Sequence, residues 1–99
     1  MVWHVKKKGH MPDFESHITV STTYAEAAEQ IAVERGWKTS EIVRDPLLGD
    51  DPHFYLTRHS RDFRELKDEM HRTVGVLTDA AIPVLREKIE EILHDVRWA

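Results

Sequence analysis

The stretch Pro83-Val84-Leu85-Arg86-Glu87-Lys88-Ile89-Glu90 admits two readings, and the fold turns on the choice. Taken on towards the C-terminus, Leu85, Ile89, Ile92, Leu93 and Val96 recur at the spacing of an amphipathic helix. Pro83 would suit its first turn. Read as a strand, the same stretch points Leu85 and Ile89 inward and Arg86, Lys88 and Glu90 outward, because side chains alternate across a sheet. Glu87 then falls on the inward side, which the strand reading must explain. Local pattern alone favours the helix.

The segments upstream are clearer. Phe14, Ser16, Ile18 and Val20 share one parity, and Glu15, His17 and Thr19 share the other, which predicts a half-buried strand over 14–20. Ser21-Thr22-Thr23 offers an N-cap, Thr23 with Glu26 fits a capping box, and Tyr24, Ala27, Ala28, Ile31 and Ala32 follow at helical spacing until Gly36, which predicts a helix over 23–35. A short strand is expected over 37–43, where Ile42 and Val43 supply the apolar content. Residues 45–52 mix Pro, Gly and Asp as a loop does. His53 to His59 alternates again, with Phe54 and Leu56 on one side and His53, Tyr55, Thr57 and His59 on the other. Ser60 offers a cap for a second helix over 61–80, whose apolar stripe is Phe63, Leu66, Met70, Val74 and Leu77. The run Arg61-Asp62, Arg64-Glu65, Lys67-Asp68-Glu69 reads as that helix's solvated side, with Arg61 and Glu65 able to pair.

Ninety-nine residues make one domain, expected over 13–99 behind a flexible tail over 1–12. Hydrophobic content of 40% and charged content of 32% are globular values. A net charge of −4 from well-mixed signs disfavours a general nucleic-acid binder, whose affinity comes largely from neutralising phosphates. There is no cysteine, hence no disulfide, thiolate nucleophile or cysteine zinc site. No apolar run approaches the roughly 20 residues a bilayer span needs, and the first residues have no signal-peptide pattern, so a cytosolic location and no membrane partner are expected.

Three pieces together resemble a loose family of small, mostly bacterial domains: Glu15-Ser16-His17-Ile18-Thr19-Val20, Leu56-Thr57-Arg58-His59, and the closing Pro83 to Glu90 stretch. Members of that family carry a first strand like Glu-x-His-Val-Thr-Val, a middle strand ending Leu-Thr-x-x-His, and a last strand like Pro-Val-Val-Arg-Val-Lys-Ile-Glu. The resemblance covers about residues 14–91 and implies that 84–90 is a strand. The order is then β-α-β-β-α-β, an α+β, ferredoxin-like antiparallel sheet with two helices on one face. Glu87 departs from the family's apolar residue at that place. The resemblance carries no activity with it.

In such a sheet the parity opposite to the apolar residues faces away from the helices. The candidate site is therefore His17, Thr19, His53, Tyr55, Thr57, His59, Arg86 and Lys88 on one open face. An open antiparallel face is polar by default, or it meets a second copy of the chain. The first expectation is accordingly a binding or interaction module that self-associates. The alternative is a phosphate or phosphodiester site at His17-Ile18-Thr19, where imidazole would serve as acid or base and the hydroxyl would hold phosphate. Two-histidine phosphoesterases need two His-x-Thr copies, and only one good copy is present. A metal set is not expected. His53 and His59 stand too far apart along one strand, so only a pair with His17, helped by Asp50 or Asp51, comes within reach of one ion, and zinc needs three or four ligands. Tyr55 is the one base-stacking candidate on the face, too little for RNA recognition. No cofactor is implied, and neither a phosphate-gripping glycine loop nor a nucleophile elbow occurs.

Overall fold

The computed structural model describes residues 13–42 and 52–92. The expected tail over 1–12, nearly all of the 45–52 loop, and Leu93, Val96 and Trp98 lie outside the described residues.

In chain order the elements are β1 (Phe14–Ser21), a 3-10 turn (Thr22–Tyr24), α1 (Ala25–Arg35), β2 (Lys38–Ile42), β3 (His53–Ser60), α2 (Phe63–Asp79) and β4 (Val84–Glu91). The strands form one antiparallel sheet in the order β2-β3-β1-β4. This is the expected α+β class: each helix crosses over a central strand to reach the far side of its neighbour. Ile18 and Val20 of β1 and Phe54 and Leu56 of β3 send their side chains to the helices, as alternation requires. They bury against Ala28 and Ala32 of α1, Met70 and Leu77 of α2, and Trp37 and Ile82 from the connections. Burying each large apolar side chain contributes about 1.5–3 kcal/mol.

β4 is a strand, although its local pattern is helical. Pairing along β1 supplies backbone hydrogen bonds to one edge of β4 over seven register positions, and this tertiary gain overrides a weak local preference. Two details differ from the strand as read from sequence. The register shifts between Thr19 and Val20, so that Thr19 faces Arg86 while Val20 faces Val84. Leu85 is the extra residue of this bulge and is 50% exposed. Val84 and Ile89, not Leu85 and Ile89, are the β4 residues packed on the core. Glu87, opposite Ile18, does point to the helix side. It is tolerated because β4 is an edge strand: the carboxylate remains in solvent and reaches within 3.8 Å of His71 Nε2 on α2.

The helix ends also differ in detail. Within the Ser21-Thr22-Thr23 run it is Ser21 that caps the first turn, its Oγ accepting from the Thr23 N–H at 3.2 Å. Asp62, not Ser60, caps α2, with Oδ1 accepting from the Glu65 N–H at 3.1 Å. Ser60 instead accepts from the Asp62 N–H at 3.0 Å and shapes the turn. A carboxylate at this position also suits the helix dipole. Gly36 ends α1 as expected, at φ +79. The Arg58 guanidinium from β3 donates to the carbonyls of Arg35 at 3.1 Å and Gly36 at 3.3 Å, closing the helix end from the sheet side.

Glu69 is the main departure on α2. It is not solvated but 8% exposed. Its carboxylate accepts from Trp37 Nε1 at 3.1 Å, Thr73 Oγ1 at 2.9 Å, and Arg35 Nε and Nη2 at 3.1 and 3.2 Å. Burial raises its pKa, but hydrogen bonds from Trp37, Thr73 and Arg35, with the Arg35 charge, outweigh burial and hold it below the usual 4.5. Glu65 meets Arg58 at 3.5 Å.

Two predictions follow from these contacts. Gly36→Ala should destabilise by about 1–2 kcal/mol, since a Cβ is strained at positive φ and would meet Arg58 Nη1 at 3.0 Å. Gly75→Ala, mid-helix with open space around it, should stabilise by about 0.5–1 kcal/mol. Opposite shifts in urea midpoint check the pair. Because the native pKa of Glu69 is lowered, its stabilisation is present above about pH 4.5 and is lost as pH falls through the native value. Glu69→Gln should therefore flatten the acid limb of a stability–pH curve.

Candidate metal centre

The open face is organised in rows, because β1 is paired on both edges. Its side chains at Glu15, His17 and Thr19 each have one neighbour on β3 and one on β4. Glu15 lies between His59 and Glu90, His17 between Thr57 and Lys88, and Thr19 between Tyr55 and Arg86. Lys38 of β2 extends the middle row beyond Thr57, and Ser40 extends the next row beyond Tyr55.

The first two rows close into a cluster. His17 Nε2 lies 2.7 Å from Glu15 Oε1 and 3.5 Å from Glu90 Oε1. His59 Nε2 lies 2.5 Å from the other Glu15 oxygen. On the inner side of the His17 ring, Nδ1 is 3.2 Å from Thr57 Oγ1. Lys88 Nζ approaches Glu90 Oε1 at 3.3 Å. One imidazole nitrogen and two carboxylates thus converge, their ligand atoms all within 4.8 Å of one another.

The strands set this geometry. Glu15 and His17 are two apart on β1 and so share a face. Glu90 is brought diagonally beside His17 by the β4 register. Glu15 and His17 side chains are only 25% and 20% exposed, whereas Glu90 is 54% exposed and also meets Lys88. Thr57 fixes the ring. It donates to Nδ1 when Nε2 carries the proton, and accepts from Nδ1–H when Nε2 binds a cation.

All eight residues expected on the open face have the parity for it, but they do not form one site. Thr19 is 2% exposed, so its hydroxyl is not offered to a ligand beside His17. His53, opposite Ser21, is buried and lies four strand residues from Thr57, about 13 Å away. It is no partner for His17. His59 reaches His17 only through Glu15. Asp50 and Asp51 lie outside the described residues. Glu15 and Glu90, which the sequence reading left out of the site, are its centre. Their parity was visible in sequence; their convergence depends on the register of β4.

Comparison with family models, curated proteins and solved structures found no match for this chain.

Because His17 and His59 bond opposite oxygens of one carboxylate, Glu15→Gln should move the ring resonances of both histidines. An NMR spectrum in which only one ring responds would contradict the shared contact.

Proposed function

We propose that this chain is a ferredoxin-like binding domain for a divalent first-row transition ion, held by His17 Nε2 and the carboxylates of Glu15 and Glu90. The observation that carries the reading is the convergence of these three donors from two adjacent strands. The strand order β2-β3-β1-β4, with a helix in each crossover, supports the ferredoxin-like description.

The distances are compatible with an ion, although they equally suit direct His–Glu hydrogen bonds. Ligand atoms about 2.0–2.2 Å from one ion lie roughly 3–3.5 Å from each other. The separations of 2.7 and 3.5 Å from His17 Nε2 bracket that range, so side-chain adjustment alone would admit the metal. The mixed donor set suits zinc, manganese, iron or nickel, while an imidazole argues against magnesium or calcium. His59 and Thr57 would act behind the ligands: His59 orients Glu15, and Thr57 orients the His17 ring.

Self-association through this face has less support. On the open side of β1, β3 and β4 the register assigns no aliphatic side chain opposite Glu15, His17 or Thr19. A second copy would have to desolvate Glu15, Glu90, Lys88 and Arg86 with Tyr55 as the one large ring in those rows to offset the cost. Direct phosphate binding at His17 is opposed by the two carboxylates already beside its Nε2.

Calorimetric titration of the full chain with Zn2+ tests the reading. One ion per chain is expected. His17→Ala should abolish binding, and His59→Ala should weaken it about 10–100-fold. Unchanged zinc affinity in His17→Ala would overturn the assignment.

A further inference from the structure

Resting on the metal reading, we propose that the bound ion is one half of a site for a phosphate or similar oxyanion, the other half being the cations of Lys38, Lys88 and Arg86. The geometry leaves the ion open on its outer side. All three protein ligands rise from one sheet face, and among the described residues neither helix covers that face, which leaves coordination positions for a further ligand there.

The charges are distributed in bands. One end of the face carries the acidic row of Glu15 and Glu90. The next row places Lys88 and Lys38 on either side of the His17–Thr57 pair, and the row after that begins with Arg86. Rows are two residues apart, roughly 6.6 Å along the strand, a span that a phosphate bound to the metal bridges with a lysine or arginine side chain. Arg86 and Lys38 make no hydrogen bond or ion pair among the described residues, so both are available. A hollow lined by Gly36, Lys38, Thr57, Arg58 and His59 lies on the β2–β3 side of this face and leaves room around Lys38, though none of the three metal ligands lines it.

Order of binding follows from the sign of the charge. Without the ion, the carboxylates of Glu15 and Glu90 repel an anion from His17. With it, the two carboxylates are neutralised and three cations remain uncompensated on the same face. The metal then supplies one coordination position and the cations supply charge-assisted hydrogen bonds. The phosphate chemistry suggested by His17 and Thr19 thus reappears through an ion, with Thr57 and the cations in place of the buried Thr19.

The test is an NMR titration of the full chain with phenyl phosphate, with and without prior saturation by Zn2+. The zinc-loaded protein is expected to bind at least tenfold more tightly than the metal-free protein. Shifts should centre on β1, β3 and β4 around His17, Thr57 and Arg86. Arg86→Ala and Lys38→Ala should each weaken phenyl phosphate several-fold, while Lys67→Ala on α2 should not. If zinc binds but phenyl phosphate affinity is the same in both states, or the Arg86 and Lys38 variants bind as the parent does, the oxyanion proposal falls and the metal reading stands. If zinc itself does not bind, both fall.

Discussion

β1 is hydrogen-bonded along both edges, and everything distinctive about the molecule depends on that position. Each β1 residue has a fixed partner on β3 and another on β4. On one face this sets Ile18 and Val20 under the helices. On the other it sets Glu15, His17 and Thr19 in the middle of three cross-strand rows. The backbone ladder is thus both the support of the core and the ruler that spaces the polar groups.

The two faces place different demands on the same strand. The helix side is closed by apolar burial, with a few buried polar residues, of which Glu69 is the charged one. Glu69 is buried and held ionised by Trp37, Thr73 and Arg35, tying α2 to the end of α1 and to the residue that enters β2. The open side has no such closure. Its like charges, Glu15 and Glu90, are held near one imidazole by strand register. Lys88 beside Glu90 and the two imidazoles on Glu15 offset part of that repulsion, and the proposed ion would offset the rest.

Much of the fold was legible in sequence because β1 and β3 alternate cleanly and α1 ends on a glycine. β4 was legible only through resemblance. Its spacing of Leu85, Ile89 and Ile92 is helical, and pairing with β1 overrides it. The bulge at Leu85 leaves no sequence signal, since nothing local separates Leu85 from Val84 as the inward residue. The face of each candidate was legible by parity. Which candidates meet was not, because convergence of Glu90 on His17 depends on a register between strands more than sixty residues apart in the chain. Glu69 was misread for a related reason: its neighbours in the charge run are solvated, and only the packing of α1 against α2 brings Arg35 and Trp37 to it.

X-ray absorption of the zinc-loaded chain tests the central claim most directly, since it counts the imidazoles around the ion. The account predicts a single imidazole nitrogen at about 2.0–2.1 Å among oxygen donors, with that imidazole signal lost in His17→Ala. A first shell of two or more imidazoles, or of oxygen alone, would contradict it.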